Sequence, residues 1–418
     1  MKRIAFISAV LSALLMAVLL HSCEEERVGQ TPTNRTPPSP LTNVVIEPTY
    51  GGAFVTYSLP NEVDISHVRC EFVFNNRKRN VLSSVFNNSL EIEGISQEIP
   101  IELKLTVVNG SGIESVPHIE TFTPLEPPMS FILNSFRVYE AFGGVTVTWE
   151  NPTRMLAGIS FLATNDDGEF ELQDIVYSTL PTGVKSLRGF NTDRRTFAIS
   201  ITDRFENESD TVKFEREPWY EAMLDKSNFL RVSLTGDNNT SHDNRPIEHI
   251  WNGILHGAHY EIWHTVADAG FIPPQTFTID VGTLAQLTRI VVYNRSGDND
   301  MYAYGQHNLR SFDIWGSDNL QHFTQSGQHQ VSTDPYWNDG SWRQDWHLLA
   351  ECEIIKPSGS PPGTNTPEDI AAHRAGFEFD FRQDVGKMRY IRFVVHETWA
   401  RTAALHISEI SVFGDDRE

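Results

Sequence analysis

The chain has 418 residues, room for about three domains at ~100–200 residues each. Its 33 basic and 55 acidic residues leave a net charge of −22, which argues against nucleic acid as a partner, since that calls for a basic face. Aromatic residues at 11%, with 27 glycines and 22 prolines, suit a turn-rich β protein, and three cysteines are too few for a disulfide framework. Cys70 and Cys352, far apart in sequence, read as free buried thiols, because cysteine often serves as a small apolar residue.

The N-terminus carries the sharpest single signal. Lys2 and Arg3 precede an apolar run over residues 4–20, and Leu20-His21-Ser22-Cys23 resembles a bacterial lipobox. Such a stretch is an export signal and not part of the fold; a plain secretory signal and an uncleaved anchor are the alternatives. The lipoprotein resemblance implies a signal peptide over residues 1–22, lipid on Cys23, and a chain tethered to the membrane, for which multiple acyl chains suffice. Glu24, Glu25 and Glu26 follow directly, similar to the acidic surface-export signal of Bacteroidetes lipoproteins, which implies the outer membrane and an outward-facing chain; otherwise they only begin a solvated linker. Residues 23–40 hold four prolines and almost no apolar side chain, so they form an extended tether.

An internal repeat follows. Gly51-Gly52-Ala53-Phe54-Val55-Thr56-Tyr57-Ser58-Leu59-Pro60 parallels Gly143-Gly144-Val145-Thr146-Val147-Thr148-Trp149-Glu150-Asn151-Pro152, an offset of 92 residues. Each unit ends in a further apolar strand, at 101–107 and 195–202. Short alternating strands in units of this length match an Ig-like sandwich, with Tyr57 and Trp149 as inward rings and the glycine pairs turning into the strands through positive φ. The two units, residues 41–125 and 126–217, resemble fibronectin type III modules. The Asn165-Asp166-Asp167-Gly168 loop lacks the ligand spacing of a calcium loop and reads as a turn.

Beyond Glu217-Pro218 the composition shifts: eight of nine tryptophans and twelve of 15 histidines lie there. Residues 218–418 form a third domain. Strand-like runs cover 276–281, 287–293, 311–315, 378–381, 390–396 and 407–413, with one or two helical turns over 367–374. In the stretch 389–414, Tyr390, Arg392, Val394 and His396 alternate with Ile391, Phe393 and Val395, the period-2 pattern of a strand. A second apolar run ends at Gly414. The loop between them, with Trp399 and Arg401, is either a site or an incidental connection. Six or more strands with long irregular connections fit a jelly roll.

The residues of this domain resemble the discoidin, or coagulation-factor C-type, family. Asn308-Leu309-Arg310-Ser311-Phe312-Asp313-Ile314-Trp315-Gly316-Ser317-Asp318 is similar to its central segment. Ile250-Trp251-Asn252-Gly253 with Trp263-His264 is similar to its early motif, and Thr276 to Gly282 to its Asp-Leu-Gly strand end. Residues 389–393 and 408–414 are similar to its closing strands. The expected architecture is therefore all-β: two Ig-like, fibronectin type III-like sandwiches followed by a discoidin-like, galactose-binding-like jelly roll. The resemblance implies glycan, phospholipid or protein binding through loops at one end. The whole arrangement resembles Bacteroidetes surface lipoproteins found with glycan-uptake systems of the starch-utilisation type.

The family also implies a structural calcium near the early loop and the closing Glu. Here Asn252 and Glu409 hold those positions, and an amide in place of a carboxylate weakens a site for a hard cation. His256, His259 and His264 have no helix to gather them and no cysteine partners, so they are a poor zinc set. Sugar binding needs an aromatic face for the pyranose C–H patch and planar polar groups for its hydroxyls. Three loops offer both: residues 295–307, with Arg295, Tyr302 and Tyr304; residues 336–346, with Trp337, Trp342, Arg343 and Trp346; and residues 396–401, with Trp399. The second is favoured, because three tryptophans within ten residues are more than one small core takes.

The functional expectation is a non-catalytic cell-surface lipoprotein that binds glycan through its C-terminal domain. It would pass the glycan to a TonB-dependent porin and its partner lipoprotein. The alternative is a protein-interaction or scaffold subunit of an outer-membrane complex. No Ser/His/Asp, phosphate-loop or metal motif supports an enzyme.

Overall fold

The computed structural model describes residues 34–257, 260–267, 272–322, 324–326 and 329–417. The signal segment, Cys23, most of the tether and His259 lie outside them. Two compact units divide the chain: residues up to 137 with 148–183 and 198–213, and residues 138–147, 184–197 and 214–418. The division passes through the second sandwich.

The first repeat is a sandwich of three and four antiparallel strands. One sheet runs Thr42–Thr49, Gly52–Ser58, Ser89–Ile92; the other runs Arg77–Ser84, Ile65–Phe74, Ile101–Asn109, His118–Phe122. Val55, Tyr57, Cys70, Phe72, Ile92 and Leu105 fill its core. Tyr57 points inward as its strand position requires, and burial pushes the free Cys70 thiol up to about 12. The second repeat has the same three-and-four pattern, preceded by a helix, Pro128–Ser135, that the sequence reading did not anticipate. Trp149 is buried against Phe161, with ring centroids 6.0 Å apart.

The glycine pairs explain why the repeat is visible at all. Gly51 and Gly143 both sit at φ +67°, in the left-handed region. A Cβ on the next glycine would lie 1.8 Å from a backbone carbonyl oxygen, that of Ile92 for Gly52 and of Leu187 for Gly144. One glycine makes the turn; the other permits close strand approach.

The C-terminal domain is a jelly roll organised on one strand, Gln275–Tyr293. The sequence pattern divides it into two runs, but the chain bends and does not break. Its first half pairs with Leu230–Ser233 and Met388–Thr398, and its second half with Phe377–Asp380 and Glu409–Asp415. The bend falls at Gly282, where φ is +75° and a Cβ would meet the Asn228 carbonyl oxygen at 2.4 Å. Asp280 fixes it, accepting from Gly282 N at 2.8 Å and pairing with Arg389 at 2.8 Å. The larger sheet continues through Leu309–Ser317 to His347–Glu353. Phe277, Phe312, Ile314, Ile391, Phe393, Ile410 and Val412 lie in the core; the rings of Phe277 and Phe393 stack at 4.4 Å.

Candidate functional site

Strand Met388–Thr398 has two covered faces. Ile391, Phe393 and Val395 point into the main core. Tyr390 and Val394 point the other way, into a second core with Val232, Leu234, Leu320 and the tryptophans 337, 342 and 346. Between them Arg392 is wholly buried, paired with Asp237 at 2.8 Å and lying over the rings of Trp342 (4.8 Å) and Trp337 (5.5 Å).

This corrects the favoured site. Trp337 and Trp342 are each 2% exposed, so their rings are packing surface and not platforms for a sugar. Three tryptophans fit here as packing because the sheet has a second face to cover. Two short 3₁₀ turns, Pro335–Trp337 and Ser341–Gln344, fold the loop back over it. Arg343 is exposed, its guanidinium resting over Trp342 at 4.6 Å. Tyr304 is also a core residue: it is buried, and its hydroxyl donates to the Asp369 carbonyl at 3.1 Å.

The other expected residues fall at one end of the barrel, among groups the sequence reading passed over. The short strands Trp263–His264 and His406–Ile407 pair antiparallel, with His264 opposite His406. Asn308 bridges to His406, which brings in His307. The imidazoles of His264 and His406 have centroids 4.2 Å apart, those of His307 and His406 4.6 Å, and those of His242 and His264 4.7 Å. A ring nitrogen from each of His264, His307 and His406 lies within 4.8 Å of the others.

The hydrogen bonds assign protons. Arg245 is buried, and its Nη1 lies 2.7 Å from His264 Nδ1. A guanidinium only donates, so His264 Nδ1 accepts and Nε2 carries the hydrogen. His307 Nδ1 is 2.5 Å from Thr402 Oγ1. His406 is 1% exposed, and among the described residues neither ring nitrogen has a hydrogen-bond partner. Burial, aided by Arg245, holds His264 at about 3, and burial with Arg295 lowers His307; burial likewise lowers His406. The cluster is thus neutral at pH 7, an array of N–H donors and lone pairs. Its tautomer at His264 and two neighbouring guanidiniums fit oxygen-bearing ligands better than a metal cation.

Two half-buried aromatic residues lie on the neighbouring loops, and Trp399 packs against the main core. Tyr302 is half-buried with the Arg295 guanidinium 4.2 Å from its ring centre. Trp399 is half-buried, edge-on to Tyr304 at 5.3 Å and covered by Arg310 at 5.2 Å. The connecting loops are held in demanding backbone: Asn299, Asp300, Tyr304, Gln306 and Arg401 all have φ between 49° and 57°. Non-glycine residues visit that region rarely, and such strain concentrates at ligand clamps. His242, His307 and His406 do not stand out in the sequence because the pairing that gathers them, His264 opposite His406, spans 142 positions. His256 stands apart, beside Ser296 and Tyr293.

The residues implied for calcium do not fit it. Glu409 is fully buried; Lys226 Nζ sits 2.5 Å from Oε1, and the Gly253 amide donates to Oε2 at 3.0 Å. Asn252 Oδ1 accepts from the Ile254 amide at 2.8 Å. The lysine supplies the positive charge that an ion would.

Three family models match the chain, each described as a domain of unknown function: DUF4959 over residues 38–124, DUF5126 over 125–227 and DUF5000 over 251–414. No curated protein matches the sequence. Among solved structures, a SusE-like protein is 27% identical, covering 70% of this chain and 100% of its own, with a TM-score of 0.42. A CBM32 module from a family 31 glycoside hydrolase of Clostridium perfringens is 15% identical, covering 46% of this chain and 95% of its own, with a TM-score of 0.32. A segment of two fibronectin type III domains from chicken tenascin is 14% identical, covering 42% of this chain and 98% of its own, with a TM-score of 0.23.

Proposed function

We propose that this chain is a non-catalytic, lipid-anchored surface protein of the outer membrane. It binds glycan through the histidine-lined end of its jelly roll and hands it to a TonB-dependent porin and its partner lipoprotein. The observation that carries the binding claim is the neutral imidazole array pinned by Arg245 and flanked by Tyr302. Sugar hydroxyls both donate and accept, and neutral imidazoles do the same, whereas a charged array would favour only acceptors. The lipobox-like segment at Cys23 and the acidic run after it support the location. Among the described residues no helix is long and apolar enough to cross a membrane.

A glycan array and affinity gels with the chain test the reading. The double variant Tyr302→Ala, His307→Ala should be held far more weakly than the parent on the same gel. Undiminished retention would move the site elsewhere. Absence of any glycan hit, with co-purification of an outer-membrane protein, would favour a scaffold role instead.

A further inference from the structure

A cleft lined by none of the clustered histidines has its own aromatic wall. Of the nine tryptophans, Trp219 alone is mostly in solvent, at 52% exposed. Its backbone is fixed: its amide donates to the Ala141 carbonyl at 2.9 Å, and its carbonyl accepts from the Gly143 amide at 2.7 Å. Its ring meets Phe142 at 5.2 Å and 74°, an edge-to-face contact that leaves at least one indole face free of Phe142 whichever ring supplies the edge. Phe142 therefore braces the indole without covering it.

The neighbouring residues complete a cleft of about 530 Å³, within the usual range for small-ligand sites. The Arg417 guanidinium lies 4.2 Å from the Tyr220 ring centre and is clamped by both Asp415 oxygens, at 2.9 and 2.6 Å. Glu140 and Glu217 also line it, tied at longer range to Arg216 (3.6 Å) and Arg194 (3.4 Å). A pinned indole with an open face, beside carboxylates that only accept hydrogen bonds, suits a ligand with an apolar C–H face and many hydroxyl donors. Three carboxylates against one clamped guanidinium repel an anion.

We propose that this cleft is a second carbohydrate site, for one or two rings of a neutral glycan, with Trp219 as the stacking platform. It stands on residues separate from the histidine array. Two sites on one tethered chain would engage a polysaccharide together, which raises retention beyond either site alone.

Titration calorimetry on the whole chain tests this, with gluco-, galacto-, xylo- and manno-oligosaccharides as neutral probes and an oligogalacturonate as the charged one. The expected result is two binding equivalents for at least one neutral probe, no second equivalent for the oligogalacturonate, and quenching of Trp219 fluorescence. Trp219→Ala should remove one equivalent with Tm unchanged, because the ring is exposed; Glu217→Gln gives a second variant that keeps the indole. An unchanged stoichiometry and affinity in Trp219→Ala, or complete loss of binding in Tyr302→Ala, His307→Ala, overturns the second site alone. Failure of every probe to bind the parent chain overturns this site and the histidine site together.

Discussion

Two regions of the jelly roll share an inventory and differ in what they do with it. The cover over residues 334–346 has tryptophans, an arginine and aspartates; the barrel end has tyrosine, tryptophan, arginines and histidines. In the cover, every indole turns toward the sheet, and Arg392 is sealed with Asp237 beneath them. At the barrel end, Arg245 and Arg295 are buried, but His264, His307 and Tyr302, on short strands and loops, are only half-buried. A list of ring-bearing residues cannot separate these two cases. What separates them is whether the strand beneath offers an apolar face that must be covered: Tyr390 and Val394 do so under the tryptophans.

The largest effect that tests the contrast is on stability. Trp337→Ala removes a nearly fully buried ring that packs on Arg392, and should cost about 3–5 kcal/mol in denaturant unfolding. Glycan retention by the folded fraction should be unchanged. Lost retention at full stability would mean that the cover opens to a ligand. At the other end the balance reverses: Tyr302→Ala with His307→Ala should weaken retention at least tenfold, about 1.4 kcal/mol, while the denaturation midpoint moves little. A midpoint shift as large as that of Trp337→Ala would make the histidine cluster a core like the other.

Much of the fold was legible in the sequence. The strands at 101–109, 195–203 and 309–317 and the short helix Pro367–Ala375 follow from local periodicity and, for the helix, a capping box between Thr366 and Asp369. The glycine pairs were readable because backbone geometry leaves no other residue. The bend in Gln275–Tyr293 was not, since its apolar pattern falters at Gly282 to Leu284 just as a turn would. The site was legible only in part. Arg295, Tyr302 and Trp399 lie in loops that a jelly roll places at one end, but His264 and His406 become neighbours only through a pairing of two-residue strands, too short to carry a pattern. Glu409 matched a ligand position by motif, and nothing in the motif signalled Lys226, 183 residues away.

A smaller effect sharpens the contrast through pH. His264 is held at about 3 in the fold, against an ordinary 6.5, by burial first and then by its neighbours, the Arg245 guanidinium foremost. His373 is held at about 4, again chiefly by burial. Below pH 6.5 the unfolded chain binds protons that the folded chain refuses, so these groups lower stability progressively as pH falls from 6.5 toward 3. Urea midpoints at pH 7 and 4.5 should show this loss, and His264→Gln should flatten part of it. Glycan retention should stay level between pH 8 and 5, because the array is already neutral. A fall in retention centred near 6.5 would mean that its imidazoles are solvated and charge normally.

The smallest expected effect is none. Glu409 has its counter-charge in Lys226, with Ser411 Oγ 3.0 Å from the same ammonium and the Gly253 amide on its other oxygen. Both carboxylate oxygens already have partners, and the carboxylate is fully buried, so calcium would have to displace the lysine and gather further oxygen ligands around it. Neither added calcium nor EDTA should shift Tm. A rise with calcium would require Lys226 to swing out, and Lys226→Met would then enhance the response; with the lysine seated as it is, that variant should instead lose stability and gain no calcium dependence, because an unpaired buried carboxylate lacks the six to eight oxygens the ion requires.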